Sequence, residues 1–138
     1  MIARGVRRLL RARGFSSLTE LSLTDGRRAD IAAVNRDGEV LIVEVKSSPA
    51  DFLADRKWRD YLACCDRLYF AISEHTAVGI MPADAGLILA DPYGAEIVRE
   101  AEIQRMAPSS RRALLLRFAQ AAADRLHRLA DPGGAFEL

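Results

Sequence analysis

The spacing of apolar positions near the start of the chain predicts an amphipathic helix. Over residues 2–13, apolar side chains recur on one side at helical spacing, and four arginines fall on the opposite side. Gly14 then ends the helix. Three short segments rich in strand-forming residues follow, at 17–23, 28–35 and 39–46. Because the loops between them end in Asp-Gly, a strong hairpin signal, these segments are predicted to form a three-stranded antiparallel meander.

The remainder of the chain predicts alternating helices and strands. Ser48 as N-cap, Pro49 at the first helical position and Asp51 three residues after the cap predict a helix that runs to about Cys64. The further predicted elements are strands at 67–72, 86–91 and 95–99, and a long helix from about Ser109 to Ala130 with an inner stripe of Leu115, Phe118, Ala122, Leu126 and Leu129. This order predicts an α/β fold: a helix, a three-strand antiparallel meander, a helix and a strand, with an added strand pair and a C-terminal helix. One mixed sheet would be flanked by helices.

The composition fits one globular domain. The chain has 138 residues, of which 50% are hydrophobic and 28% charged, and these values exclude disorder and a collagen-like chain. We assign residues 1–130 to a single domain and expect 131–138 to be a flexible C-terminal tail. No apolar stretch is long enough to span a membrane, and the adjacent Cys64 and Cys65 lack the spacing of a disulfide framework or a zinc site. A cytoplasmic protein without membrane contacts is therefore expected.

The predicted third strand ends in charged residues. Its alternation places Glu44 and Lys46 on one face of a strand that should be buried on both faces. A three-residue loop before this strand would place Asp30 opposite Glu44, and the same loop length before the second strand would place Glu20 opposite Asp30. Three carboxylates in a row repel one another, which implies a divalent cation or raised pKa values. Two-residue loops would break the row, and a plain ion pair between Glu44 and Lys46 is the structural alternative.

A hard cation with oxygen ligands, Mg²⁺ or Mn²⁺, fits this pattern. Asp30 and Glu44 would be its carboxylate ligands, with the backbone carbonyl of Val45 as a third oxygen. Glu20 would be an extra ligand or a base. Lys46 would help to activate the attacking water or would stabilise the charge that builds on a phosphate in the transition state. The reaction class that follows is metal-dependent phosphodiester hydrolysis.

An aspartate at position 30, followed by Glu44-Val45-Lys46 at the end of the next strand and then a helix, resembles the PD-(D/E)XK nuclease superfamily. Ala29 stands where a proline often precedes this aspartate. A longer set of strings closely resembles the MmcB-like bacterial DNA repair proteins over nearly the whole chain, to about Leu129. These strings include Arg27-Arg-Ala-Asp30, Val43-Glu-Val-Lys-Ser-Ser48, Cys65-Asp-Arg-Leu-Tyr-Phe-Ala71 and Gly86-Leu-Ile-Leu-Ala-Asp91. The resemblance implies a restriction-endonuclease-like fold and a role in repair of damaged, branched or single-stranded DNA.

DNA binding requires positive charge in the right place more than in total. The formal net charge is only +1, but the first helix carries five arginines and no acid. The alternative is that these arginines form the solvated face of a surface helix. The residues expected to contact DNA are four arginines of this helix, two neighbours of the motif and a lysine farther on: Arg4, Arg7, Arg8, Arg11, Arg28, Ser47 and Lys57.

The sequence leaves two functions open. The leading one is a metal-dependent endonuclease or exonuclease that acts on DNA during repair. The alternative is a non-cleaving DNA-binding or scaffold subunit of a complex with other repair proteins. A homodimer is also an option, since enzymes of this size that cut both strands usually need a second subunit. Trp58 and Tyr61 are interpreted as core residues and not as base-stacking residues, because they share a helical stripe.

Overall fold

A central sheet with helices on both faces organises the chain. The computed structural model describes residues 1–54, 57–73, 79 and 81–133. Within these ranges, three α-helices and a seven-residue 3₁₀ helix accompany six strands. In chain order the elements are α1 (Ala3–Ala12), β1 (Ser16–Ser22), β2 (Arg28–Val34), β3 (Val40–Val45), α2 (Pro49–Ala54), the 3₁₀ helix (Trp58–Cys64), β4 (Arg67–Ile72), β5 (Gly86–Ala90), β6 (Ala95–Arg99) and α3 (Pro108–Ala130).

The strands lie in the sheet in chain order, with β1 and β6 at its edges. The first three form an antiparallel meander, β3, β4 and β5 are parallel, and β6 returns antiparallel to β5. The predicted α/β architecture with one mixed sheet is therefore confirmed, and the sheet is open.

The register of the meander also agrees with the prediction. Ile31 lies opposite Val43 across β2 and β3, and it lies opposite Thr19 across β1 and β2. Gly26 and Gly38 have φ values of +88° and +80°, as the last residue of a three-residue hairpin loop requires. Both loops therefore have the length that aligns positions 20, 30 and 44.

Both faces of the sheet carry a hydrophobic core. On one face, Val6 and Leu10 of α1 pack over Leu41, Val43 and other strand residues. On the other face, α2, the 3₁₀ helix and α3 cover a second cluster, which includes the alternate residues Val40 and Ile42 of β3. The expected burial of β3 on both faces is confirmed, and it leaves the charged end of this strand in an apolar setting.

The helix predicted to run from Pro49 to about Cys64 is not continuous. Ser48 is its N-cap as predicted, because its Oγ accepts a hydrogen bond of 3.1 Å from the N–H of Asp51. However, α2 ends at Ala54, and a 3₁₀ helix begins at Trp58. Phe52 and Trp58 both pack edge-on against Phe70, each at 5.3 Å between ring centroids. Residues six apart in one α-helix point in directions about 120° apart, so this shared contact requires the break.

The predicted inner stripe of α3 is wrong in its second half. Leu126 and Leu129 are 66% and 81% exposed, whereas Leu114 is buried and Leu115 and Phe118 pack partly against the core. The later turns of α3 still contact the sheet, since Arg125 Nη2 donates to the Glu20 carbonyl of β1 at 3.1 Å, but this contact is polar and leaves Leu126 and Leu129 in solvent. The helix ends at Ala130 as predicted, and residues 134–138 of the predicted tail lie outside the described residues.

Candidate active site

Asp30 and Glu44 meet where β2 and β3 separate. Regular pairing of these strands stops at Ile31 and Val43. At the next position the Asp30 N–H donates to Glu44 Oε2 at 2.9 Å, and Asp30 Oδ2 accepts from the Val45 N–H at 2.8 Å. Each carboxylate therefore replaces a backbone acceptor of the ladder. The arrangement holds both side chains at the opening of the sheet.

Burial changes the protonation of both carboxyls. Glu44 is only 4% exposed. Burial, reinforced by the charge of Asp30, raises the pKa of Glu44 to about 7, although the Asp30 N–H, Lys46 and Tyr61 act in the opposite direction. Burial also raises the pKa of Asp30, against the hydrogen bond from Val45 and the charge of Lys46. A carboxyl pair that resists ionisation when no cation is near is expected for a site that holds a cation in use.

Lys46 follows the carboxylates at the end of β3 and is buried, with 8% exposure. Its backbone N–H continues the parallel ladder by donating to the carbonyl of Ala71 in β4 at 2.9 Å. The charge of Lys46 lowers the pKa of both Asp30 and Glu44. The sequence motif therefore corresponds to one electrostatically coupled group at the carboxyl end of β3.

A cavity of about 580 Å³ opens onto this group. It lies at the carboxyl ends of the parallel strands, where ligand sites of open α/β sheets usually form. Its polar lining comes from β1, β2 and the segments after β3 and β4, and the N-terminal end of α1 covers one side. The lining residues are Met1, Ile2, Ala3, Thr19, Glu20, Asp30, Val45, Ser47 and Ser73.

Glu20 lines this cavity but differs from the other two carboxylates. Its backbone is left-handed, with φ of +51°, and β1 and β2 do not pair at this residue although pairing continues on either side. Its side chain is 67% exposed, and its Oε1 lies 3.7 Å from Nη2 of Arg28. Within the described parts of the chain, no three His, Cys, Asp or Glu side chains are grouped so as to hold a metal ion.

The oxygen donors around Asp30 fit a hard divalent cation. Two carboxylates and the backbone carbonyl of Val45 are of the type that Mg²⁺ and Mn²⁺ prefer, and Mg²⁺ commonly takes one or two protein carboxylates, with water and phosphate completing its shell. The raised pKa values of Asp30 and Glu44 provide a second reason, because a cation would stabilise the ionised forms that burial disfavours.

Tyr61 packs partly against the core, as its helical spacing predicted, and its hydroxyl also reaches this site. Its hydroxyl donates to the carbonyl of Arg28 at 3.1 Å. A hydrogen bond from the same side chain is among the interactions that lower the pKa of Glu44. The neighbouring Trp58 is buried against Phe70, as the sequence predicts. Residues three apart eclipse in a 3₁₀ helix, so both aromatics face the same core cluster, and only the hydroxyl lets Tyr61 reach the site as well.

The arginines of α1 line a groove of about 680 Å³ beside the edge strand β1. Arg7 is fixed there, since its Nε donates to Ser17 Oγ and its Nη2 to the Ser17 carbonyl, both at 2.9 Å. The groove shares Ala3 and Thr19 with the cavity at Asp30, so the two lie side by side. The four arginines of α1 that were predicted to contact DNA all line it: Arg4, Arg7, Arg8 and Arg11.

The other predicted DNA contacts are all on the surface near the site. Arg28 is exposed beside Glu20. Ser47 is exposed at the cavity, where its N–H donates to Asp51 Oδ2 at 3.1 Å. Lys57 is also exposed, but it precedes the 3₁₀ helix and does not lie inside a long α-helix as predicted. Ser47 and Arg28 therefore lie at or beside the opening without forming part of the buried group.

Comparisons with known proteins identify the family of the chain. The family model described as DNA repair protein MmcB-like matches residues 1–133. A comparison with curated proteins found no match. Among solved structures, the chain is similar to the SPO1766 protein of unknown function from Silicibacter pomeroyi, with 46% identity and a TM-score of 0.93 over 99% of this chain and 94% of that one. In the described ranges, no helix has the length and apolar character needed to cross a bilayer. The family match covers almost the full length, and the chain therefore belongs to the MmcB-like DNA repair protein family.

Proposed function

We propose that the protein is a Mg²⁺- or Mn²⁺-dependent deoxyribonuclease of the PD-(D/E)XK superfamily that acts in DNA repair. The observation that carries this proposal is the group formed by Asp30, Glu44 and Lys46 at the separation of β2 and β3. Glu44 and Lys46 are buried, Asp30 is half-buried, and the pKa values of both carboxyls are raised. Asp30 lines a cavity that adjoins an arginine-lined groove. The family membership supplies the DNA repair context.

Each side chain of the site has its own role in the proposed hydrolysis. A bound divalent cation would supply Lewis-acid activation of the phosphodiester and lower the pKa of the attacking water. Asp30 and Glu44, with the Val45 carbonyl, would hold that cation. Lys46 contributes a fixed positive charge beside the negative charge that develops on the phosphate, and the surrounding apolar core strengthens this interaction. The arginines of α1 bind the neighbouring phosphates and so position the scissile bond.

Isosteric substitutions test the proposal with little risk to the fold. Asp30→Asn and Glu44→Gln keep an oxygen that can accept the hydrogen bonds from Val45 and Asp30, and Lys46→Met keeps the length of the side chain. We expect cleavage of labelled single-stranded, duplex or branched DNA with Mg²⁺ or Mn²⁺ and none with EDTA. Each variant should lower the rate by about a hundredfold or more. The exposed Glu96→Gln serves as a matched control that should cut at the wild-type rate.

A second measurement does not depend on turnover. A cation that binds only the folded state raises the melting temperature. Mn²⁺ should therefore raise the Tm of the wild-type protein and of Glu96→Gln, but not that of Glu44→Gln. Absence of cleavage with both cations on all three DNA forms, together with no Tm shift, would overturn the nuclease proposal.

A non-cleaving DNA-binding subunit is the second candidate function. It is favoured by one observation, namely that one oxygen of each carboxylate already accepts a backbone hydrogen bond. In that case Asp30 and Glu44 only satisfy the backbone N–H groups where the pairing of β2 and β3 ends, and the arginine groove binds DNA without hydrolysis. DNA binding by a protein that shows no cation-dependent cleavage in the assay above would support this function.

A further inference from the structure

Tyr93, in the turn between β5 and β6, exposes its aromatic ring to solvent. The residue is 74% exposed, and the other large hydrophobic side chains that are exposed among the described residues are aliphatic. An exposed aromatic ring adds nothing to the core, but it offers a flat surface on which a nucleic acid base can stack.

The turn that carries Tyr93 is held rigidly. Asp91 Oδ1 accepts hydrogen bonds from the N–H groups of Tyr93 at 2.7 Å and of Gly94 at 2.9 Å, and the Gly94 carbonyl accepts one from the Asp91 N–H at 2.9 Å. Helix α1 packs directly on this turn, because a Cβ at Gly5 would lie 1.9 Å from the Asp91 carbonyl oxygen. The backbone position from which the ring of Tyr93 projects is therefore set before any ligand binds.

Two arginines of the groove lie beside this ring. The guanidinium carbon of Arg4 is 6.0 Å from the ring centroid of Tyr93, and Arg8 Nη1 donates to the Tyr93 carbonyl at 3.0 Å. Both arginines also line the groove that adjoins the cavity at Asp30. An aromatic face, a row of cations and the candidate active site thus lie along one surface.

We propose that Tyr93, with Arg4 and Arg8, forms a platform for single-stranded DNA. An unpaired base stacks on the ring, the arginines contact the adjacent phosphates, and the strand continues along the groove towards Asp30. A duplex cannot use this platform, because both faces of each base are covered by its stacked neighbours. The inference rests on the proposed function and specifies its substrate as a single strand.

Fluorescence anisotropy with a labelled oligonucleotide and the matching duplex, both in EDTA, tests the platform without any catalysis. Wild-type protein should bind the single strand more tightly than the duplex. Tyr93→Ala should weaken single-strand binding by about tenfold, which is the range for loss of one stacked base. Tyr93→Phe should stay within about twofold, because the aromatic face remains. Val98→Ala, which shortens an exposed apolar side chain on β6, is the matched control.

The salt dependence separates stacking from charge. Each phosphate contact on a single strand contributes about 0.7 to the slope of log K against log salt concentration. Arg4→Ala should therefore lower the slope by about this amount, while Tyr93→Ala should weaken binding at an unchanged slope. Tyr93→Leu should behave like Tyr93→Ala. If it binds as tightly as Tyr93→Phe, or if the duplex binds as tightly as the single strand, the platform is wrong.

The platform and the nuclease can fail separately. Single-strand binding that depends on Tyr93, with no cleavage in Mg²⁺ or Mn²⁺, would support the platform and overturn the nuclease. Cleavage of duplex and single strand at equal rates, with neither binding nor cleavage altered in Tyr93→Ala, would overturn the platform and support the nuclease.

Discussion

Asp30 donates its backbone N–H to the side chain of Glu44 at 2.9 Å, at the position where the ladder between β2 and β3 ends. The carboxylate of Asp30 in turn accepts from the residue after Glu44, Val45, at 2.8 Å. Side-chain carboxylates thereby substitute for backbone acceptors, so the sheet can open without leaving these N–H groups unpaired. The same contact places two acids in an apolar setting, which has consequences for stability.

Stability in EDTA should fall as the pH rises from about 4.5 to about 7. Burial raises the pKa of Glu44 from 4.5 to about 7, so over this interval the folded state retains a proton that the unfolded state has lost. The free energy of unfolding then decreases with pH, by on the order of 3 kcal/mol from Glu44 alone. The raised pKa of Asp30 acts in the same direction. Urea unfolding at several pH values measures the slope.

Glu44→Gln should remove most of this dependence, because glutamine does not titrate. At pH 7 the variant should be at least as stable as the wild-type protein. The control is Glu96→Gln, an exchange at an exposed site that should leave the slope unchanged. A wild-type slope that persists in Glu44→Gln would show that other groups cause it.

Tyr61→Phe should raise the pKa of Glu44 further. The tyrosine hydroxyl stabilises the ionised carboxylate by a hydrogen bond, and its removal leaves the effect of burial less opposed. The phenyl ring keeps the packing of Tyr61 on the core, so the Tm should change little. Carboxyl NMR titration measures the pKa directly. Tyr69→Phe, on the α1 face of the sheet, is the control and should leave the titration of Glu44 unchanged.

The meander and its register could be predicted from the sequence because local rules determine them. The glycines at the ends of the two loops select three-residue turns, and the loop length then determines which residues face each other. Asp30 and Glu44 were brought together by this argument alone. Glu20 follows the same register, but its left-handed backbone, which alternation cannot reveal, gives it a different setting from theirs.

The parts that were not predicted depend on packing between distant segments. The break between α2 and the 3₁₀ helix follows from the shared contact of Phe52 and Trp58 with Phe70, and periodicity within one segment contains no information about it. Leu126 is exposed where α3 meets β1 through the polar contact of Arg125 with the Glu20 carbonyl, which periodicity cannot reveal. Nothing in the sequence pattern marks Asp66 as important. Its role follows from its hydrogen bonds with Arg111, which lies 45 residues further along the chain.

Asp66→Asn should destabilise the protein by about 2–4 kcal/mol. The Asp66 carboxylate is 2% exposed and accepts bonds from the N–H groups of Val40 at 2.8 Å and Met106 at 2.9 Å, and from Arg111 at 2.5 and 2.7 Å. Burial alone would raise its pKa, but Arg111 and the two backbone N–H groups outweigh burial and lower it to about 2. Urea unfolding at pH 7 measures the loss.

The free energy of unfolding that Asp66 contributes decreases as the pH falls, whereas the contribution of Glu44 decreases as the pH rises. Because the folded pKa of Asp66 is lowered, its contribution is complete above about pH 4 and is lost as the pH falls towards 2. Asp84→Asn, which breaks the exposed pair of Asp84 with Arg59 at 2.6 Å, is the control and should cost less than about 1 kcal/mol. Equal losses in the two variants would contradict the role assigned to Asp66.

Gly5→Ala should be destabilising even though alanine favours a helix by about 1 kcal/mol over glycine. The added Cβ would lie 1.9 Å from the Asp91 carbonyl oxygen and 2.5 Å from that of Gly94, both backbone atoms of a hydrogen-bonded turn. The helix and the turn must then separate, at a net cost of about 1–3 kcal/mol.

Because Gly94 has open space around its Cβ position, Gly94→Ala tests alanine in the same turn and should change stability by less than about 0.5 kcal/mol. Thermal melts of both variants measure the difference, and single-strand binding of Gly5→Ala should weaken with it, since the separation moves Tyr93 away from Arg4 and Arg8. An unchanged Tm in Gly5→Ala would show that α1 and the turn are not in the close contact that fixes the platform.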